Sequence, residues 1–337
     1  MTYKKNFLGS FLGLFVIIAI FISFIFLKTS FTFSKITTDS LGADDLPIYL
    51  LPELEDLPQD DENQLTFLLL GQRGEGMPFG GLLTDAITVA NINKESGKVV
   101  LISLPRDIYI PMPDSDSERD KLNAVYAWGY EKGGAAMGIA YAKDTISRIT
   151  GLYIDNVAVV NFEGAENLID AIGGIKLTLQ DDFIEGKQWW CDEEGQDCAP
   201  FIVPKGESVL DGETALFYMR SRFSSSDFDR ARRQQQVIIG IKKKLFSLGF
   251  LANPLNILKL LDVVENNLRT DLSALEMKSL IKLYQGLDVD LDNIKTFVFD
   301  NGPGGYLDAK HINGQYILIP KTGNFDGIKE KCQDLIK

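Results

Sequence analysis

The feature that most constrains this 337-residue chain lies near its start. From Phe7 to Leu27 the sequence reads FLGSFLGLFVIIAIFISFIFL, without a charged residue. Roughly 21 residues at about 1.5 Å per residue cover about 31 Å, the thickness of a bilayer's hydrocarbon layer. A cleaved signal peptide would have a shorter apolar region and a small-x-small site after it; Lys28-Thr29-Ser30-Phe31 offers no such site, so the run reads as an uncleaved anchor. Lys4 and Lys5 precede it and an acidic stretch follows, which by the positive-inside rule keeps the N-terminus in the cytoplasm and sends the rest outside. The expected organisation is a cytoplasmic N-terminus over 1–6, a transmembrane helix over 7–27, an acidic stalk over 28–63 containing Pro47, Pro52 and Pro58, and an extracytoplasmic domain over 64–337 of a single-pass cell-membrane protein.

The net charge of −13 opposes nucleic-acid binding, and no nucleic-acid partner is expected. An acidic average still admits an anionic ligand, provided that basic residues are concentrated where it sits. Of the three cysteines, Cys191 and Cys198 flank a short acidic loop and form a candidate disulfide in an exported domain, with two free thiols as the alternative. The region supplies no histidine and no second cysteine pair, which argues against a zinc site there.

Hydrophobic patterning interleaves strands and helices. Thr66 to Leu70 is a continuous apolar run ending in glycine, as expected of a buried strand. Residues 86–92 alternate and 99–102 follow a turn signal at Glu95-Ser96-Gly97, predicting an antiparallel hairpin. Helices are expected over 118–132 and 134–149, broken at Gly133-Gly134, then over 163–172, 211–219, 228–247, 254–267 and 273–286. Further strands are expected at 157–160, 294–299 and 316–319. The class is therefore α/β, with a mixed central β-sheet flanked by helices.

Basic residues do cluster. Arg220-Ser221-Arg222 closes one expected helix and Asp227-Phe228-Asp229-Arg230-Ala231-Arg232-Arg233-Gln234 opens the next. Arg230, Arg233 and Gln234 stand at i, i+3 and i+4 and so share a face, with Ser226 or Asp227 as the N-cap. The macrodipole disfavours cations at a helix N-terminus, so an anion must offset their repulsion. Asp227 and Asp229 are one such source; a phosphate, which guanidinium forks bind bidentately, is the other. Arg106, in Ser103-Leu104-Pro105-Arg106-Asp107, belongs at the rim of the sheet, where it is either a structural bridge to Asp107 or a ligand group. Asp85 opens the second strand, either as a turn or cap residue or as the holder of a magnesium ion against a diphosphate, for which one carboxylate plus substrate oxygens suffices. The loop Gly71-Gln72-Arg73-Gly74-Glu75-Gly76 has neither the ending of a P-loop nor the spacing of a dinucleotide fingerprint. His311, the single histidine, has no acid or nucleophile motif around it and reads as structural.

These motifs resemble the LytR–CpsA–Psr family of bacterial envelope proteins, also called cell envelope-related transcriptional attenuators, over about residues 65–320. The resemblance rests on LLLG at 68–71, LTDAIT at 83–88, LISLPRDIYI at 101–110, KLNAVYAWG at 121–129, ITGLYIDNVAVVNFEGAENLIDAIGGI at 149–175, LDGETALFYMRSR at 210–222 and DFDRARRQQQ at 227–236. It implies an α/β domain with a hydrophobic tunnel for a polyprenyl chain and an arginine-lined mouth for its pyrophosphate. It also implies a phosphotransferase that moves a glycopolymer from a polyprenyl-pyrophosphate carrier onto peptidoglycan. Asp85 matches the family's metal-binding aspartate, with Mg2+ or Mn2+ as the cofactor. Arg106, Arg220, Arg222 and Arg230 match the pyrophosphate-binding arginines, with Gln234 alongside, and Lys121 matches the family's Lys-x-Asn lysine. The catalytic set implied is Asp85, Arg106 and Arg220. Two positions depart from the pattern: Gln72, where the family often has an aspartate, and Leu83, where it often has an arginine. Either Glu75 replaces the lost carboxylate or the metal rests on Asp85 alone. Readings of another class are a lipid pyrophosphatase and a polyprenyl-pyrophosphate-binding regulatory protein without transferase activity.

Overall fold

The computed structural model describes residues 28–38, 58–78, 80–115, 117–191, 198–245, 254–273, 276 and 294–337. The apolar run 7–27 and most of the helix expected over 273–286 lie outside this set. Among the described residues no helix is long and apolar enough to cross a membrane.

The centre is a six-stranded mixed sheet in the order β11-β6-β1-β2-β3-β12. Its strands are β1 (Gln64–Gln72), β2 (Thr84–Asn93), β3 (Val99–Ser103), β6 (Asn156–Asn161), β11 (Leu268–Thr270) and β12 (Lys295–Val298). β1 pairs parallel with β6, and β3 with β12, while β2 runs antiparallel between β1 and β3, with Ile92 opposite Val99 in the expected hairpin. Residues of β1 alternate across the sheet. Leu68 and Leu70 join Ile87, Val89, Val100 and Ile102 in the main core, packed by α2 (Val125–Thr150) and the C-terminal α7 (Asp326–Ile336). The opposite face carries α5 (Asp227–Leu245), whose buried Gln235 donates to Leu101 O at 3.3 Å, Ser103 Oγ at 2.9 Å and Phe297 O at 2.9 Å. That one amide ties the helix to β3 and β12 together.

A second, smaller core lies beyond α5. It joins α3 (Phe162–Ala171) and α4 (Gly212–Arg220) to two antiparallel pairs, β7 (Ile175–Leu179) with β10 (Gly206–Leu210) and β8 (Phe183–Cys191) with β9 (Cys198–Val203). Cys191 and Cys198 are register partners across β8–β9; their side chains, and with them the candidate disulfide, lie outside the described residues.

The helix expected over 118–132 begins later. Arg119–Lys121 is a strand (β5) paired with β4 (Tyr109–Pro111), a single 3-10 turn spans Leu122–Ala124, and α2 starts at Val125. The break at Gly133-Gly134 is present: Gly134 has φ 69° and ψ −160°, a conformation open to glycine. The chain doubles back there so closely that a Cβ on Gly129 would stand 2.6 Å from Met137 O. The antiparallel pairs β4–β5, β7–β10 and β8–β9, strand β13 (Leu307–Ile312) beside β14 (Gln315–Pro320), and α7 were not read from sequence. The segment expected as a stalk opens, over 28–36, as a helix (α1) docked beside α6 (Pro254–Asn267), with Thr32 and Ile36 buried.

Candidate functional site

The parallel strands β1, β3, β6 and β12 all end at one edge of the sheet, the edge at which open α/β sheets bind ligands. Two adjoining pockets of about 330 and 610 Å3 open there and share Asp85, Arg106, Asp107, Lys121, Arg230 and Gln234. Arg220 and Arg222 line the larger one. All seven residues expected at the site are thus brought together from five separate stretches of chain.

Each is positioned by local structure. Arg106 follows β3, and its carbonyl accepts from Asn123 N at 3.2 Å, joining the turn after β3 to the end of β5, where Lys121 stands. Arg220 is the last residue of α4, whose N-cap Asp211 accepts from Thr214 N at 2.9 Å. Ser226, not Asp227, caps α5: Ser226 Oγ accepts from Asp229 N at 3.1 Å while Asp229 Oδ2 accepts from Ser226 N at 3.1 Å, a reciprocal capping box. Asp227 is thereby released to face the pocket.

The centre of the site is Arg106. Its Nη1 donates to Asp85 Oδ1 at 2.8 Å and its Nε to Asp227 Oδ2 at 3.0 Å, with Asp107 Oδ2 at 3.6 Å. Lys121 Nζ holds the other oxygen of Asp107 at 2.6 Å. Arg230 Nη1 lies 3.3 Å from Asp227 Oδ1 and its Nη2 3.3 Å from the Asp85 carbonyl. Ion pairing with Asp227, one of the two alternatives open in the sequence, is therefore real, but it does not exhaust the cations. Six basic side chains, Arg73, Arg106, Lys121, Arg220, Arg222 and Arg230, face four carboxylates, Asp85, Asp107, Asp120 and Asp227, across the two pockets. On a chain of net charge −13 this is a local positive excess.

The excess sits on Arg73 and Arg220. Among the described residues neither has a carboxylate within salt-bridge distance; Arg220 instead stacks over the Phe162 ring at 4.7 Å. Burial pushes the Arg220 guanidinium below its ordinary value, and the neighbouring Arg73 lowers it further. Burial lowers Arg230 as well, against the pull of Asp227. Asp85 shows the converse: burial raises its pKa, yet Arg106 outweighs this and holds the carboxyl below its usual range. Partly desolvated, underpaired guanidinium groups in one pocket can receive an anion with several oxygens.

Arg73 is an addition to the residues expected from sequence; its place one residue past β1, on the same rim as Arg106, is the signal that marks it. Asn123 is a second addition, donating Nδ2 to Asp85 Oδ1 at 3.2 Å. Arg233, expected on the face of Arg230 and Gln234, points away instead. It is buried, donating Nε to Tyr218 O at 3.0 Å and Nη2 to Ser221 O and Ser225 Oγ, and it stacks over Phe183. The helical drift of 100° per residue places position i+3 on the flank of α5 that meets the second core. Glu75 does not replace the carboxylate missing at Gln72: it bonds to Tyr130 and lines neither pocket. Gln72 is buried, its Oε1 without a partner, and Leu83 forms an apolar part of the larger pocket's wall. His311 lines neither pocket, but it stacks edge-on at 5.7 Å against Tyr316, which lines the smaller one.

Among the described residues no three histidine, cysteine or acidic side chains stand together as a metal cage. Both side-chain hydrogen bonds to Asp85 fall on Oδ1. The donor set fits only a divalent cation that takes one carboxylate oxygen from the protein and the rest from substrate and water.

Comparison with known proteins agrees with this geometry. The chain matches the profile of the LytR_cpsA_psr family over residues 26–334. It is similar to an Enterococcus faecalis protein named polyisoprenyl-teichoic acid–peptidoglycan teichoic acid transferase TagU, 33% identical over 204 residues, or 60% of this chain and 59% of that one. It is also similar to biofilm regulatory protein A of Streptococcus mutans, 30% identical over 243 residues, or 70% of this chain and 54% of that one. The matches thus span less than two thirds of either relative's length. Among solved structures, B. subtilis TagV shares the fold with a TM-score of 0.60 at 22% identity, covering 82% of this chain and 98% of that one. Motif order, sheet topology and the arginine-lined edge lead to one conclusion: the chain belongs to the LytR–CpsA–Psr family.

Proposed function

We propose that this protein is a membrane-anchored phosphotransferase that moves a glycopolymer from a polyprenyl-pyrophosphate carrier onto peptidoglycan at the outer face of the cell membrane. The observation that carries the reading is the positive excess at Arg73 and Arg220 in a mouth that adjoins a pocket walled by Ile87, Leu104, Phe228, Val298 and Leu318. A pyrophosphate with a prenyl tail offers charge to the first and apolar surface to the second. The transferase name of the Enterococcus faecalis relative supports the same reaction class.

In the transfer, a bond forms between the acceptor hydroxyl oxygen and the glycan-bearing phosphorus, while the bond from that phosphorus to the bridging oxygen breaks. Polyprenyl phosphate leaves with the bridging oxygen and its electron pair, the proton of the acceptor hydroxyl passes to solvent, and a phosphodiester remains. Charge grows on the bridging and equatorial oxygens, where Arg106, Arg220, Arg222 and Arg230 neutralise it, with Lys121 and Gln234 holding the pyrophosphate in place. Asp85 orients Arg106 through their ion pair. Mg2+ or Mn2+, held by Asp85 and the pyrophosphate oxygens, would add further neutralising charge.

The test supplies the full chain with a labelled lipid-pyrophosphate sugar, with and without peptidoglycan oligomers. Label appearing on the oligomers, with polyprenyl phosphate released, is the expected result. Sugar phosphate released equally without an acceptor identifies a lipid pyrophosphatase. Stoichiometric binding without turnover identifies a regulatory protein, a reading favoured by Leu83 in the pocket wall and by the name of the Streptococcus mutans relative.

A further inference from the structure

α1 is fastened to α6 by an ion cluster around the buried Glu265. Lys28 Nζ lies 2.9 Å from Asp262 Oδ1 and also bonds to Glu265; Lys35 Nζ reaches Glu265 Oε1 at 2.7 Å, and Thr32 Oγ1 donates to Glu265 Oε2 at 3.3 Å. Glu265 is 8% exposed, and the two lysines hold its carboxyl down at about 2. Beyond the helices, Thr37 bridges Thr270 in the parallel sense, and Thr38 N donates to Thr270 O at 2.9 Å.

The parallel bridge sets a direction. The chain from Lys28 to Thr37 runs alongside the stretch from Asp262 to Thr270 in the same sense, so the beginning of α6 lies on the side of Lys28. That neighbour in sequence is Leu27, the last residue of the apolar run. Leu255 stands ten residues before Glu265, about 15 Å farther toward that side. The charge pattern changes at the same level: Pro254 to Leu261, PLNILKLL, holds one lysine and no carboxylate, and the first acid is Asp262, opposite Lys28. Leu255 is 58% exposed, Ile257, Leu258 and Leu261 are half-buried, and Lys259 is exposed one turn from Leu255.

From this arrangement we infer that the first two turns of α6 rest in the headgroup layer of the bilayer, with Leu255 inserted and Lys259 reaching up to the phosphates. An amphipathic helix with apolar side chains, a snorkelling lysine and no acids is what a lipid surface accepts. The Glu265 cluster, by holding α1 on α6, then fixes which side of the domain meets the membrane from which a lipid-linked substrate must be drawn. The inference rests on the proposed anchor at 7–27, and its test separates the two.

The full chain is reconstituted in nanodiscs of phosphatidylcholine and phosphatidylglycerol, with and without brominated acyl chains, and tryptophan quenching is compared among Leu255→Trp, Phe21→Trp, Val209→Trp and the parent. Leu255→Trp should show roughly twofold more quenching than the parent, as burial at the headgroup boundary requires. Val209→Trp, on the exposed strand β10, should match the parent. Adding Glu265→Gln should bring Leu255→Trp back toward the parent while leaving Phe21→Trp quenched. Quenching at Phe21→Trp without any at Leu255→Trp would overturn the membrane contact of α6 and leave the anchor standing. Absence of quenching at both would overturn the anchor and the inference together.

Discussion

Arg106 Nη1 and Asp85 Oδ1 meet at 2.8 Å, although one residue follows β3 and the other opens β2. This pair makes the two groups interdependent: Asp85 is held ionised by Arg106, and Arg106 is held in place by Asp85, Asp107 and Asp227. Mutating either one therefore tests both the chemistry and the architecture of the site.

Arg106→Ala removes the cation shared by three carboxylates. At one-fifth side-chain exposure its pairs lie between surface and buried cases, so a loss of about 2 kcal/mol is expected in denaturant unfolding, with the fold retained. Transfer should vanish. Wild-type turnover in this variant would remove Arg106 from the site.

Arg220→Ala and Arg73→Ala should behave differently. Each removes a partly desolvated guanidinium without a carboxylate partner among the described residues, so thermal stability should hold or rise slightly. Transfer should fall by about 100-fold or more, the usual effect of deleting one group that stabilises transition-state charge. Loss of both stability and activity would instead mark a structural role.

Arg233→Met leaves the carbonyls of Tyr218 and Ser221 and the hydroxyl of Ser225 without their donor. A loss of about 3 kcal/mol is expected. The connection carrying Arg220 and Arg222 would loosen, so KM for the lipid-linked sugar should rise as well. Unfolding curves and steady-state kinetics on the same preparation check both effects.

The stability added by the Glu265 cluster should depend on pH in one direction. Glu265 titrates at about 2 in the folded protein against an ordinary 4.5, so its contribution is complete above about 4.5 and is lost as the pH falls toward 2. In denaturant titrations, Glu265→Gln should differ most from the parent at neutral pH and converge with it below pH 3.

Cys332 is fully buried, and burial pushes its thiol up to about 12. In the folded protein it should not react with a disulfide reagent at pH 8, and it should become titratable only in denaturant. Rapid labelling without denaturant would contradict the packing of α7.

The local code of the chain determined a good deal. Alternation and apolar runs located β1, the β2–β3 hairpin and β6, because a buried sheet demands those periods. Gly133-Gly134 marked the reversal in α2 because only glycine adopts its backbone angles cheaply. The arginine clusters were legible as charge concentrated on an acidic chain. Tertiary structure alone decided which of those charges face one another. Arg233 and Arg230 stand three residues apart, yet one is buried behind the site and the other lines it, since the two flanks of α5 meet different cores. Arg73 joined the site only when β1 and α4 were seen to end at the same edge. The docking of α1 on α6 depended on a glutamate more than 220 residues away meeting two lysines, a contact that no local pattern encodes. Spacing along the chain reports which groups a segment can present; the crossing of strands and helices determines what each group meets.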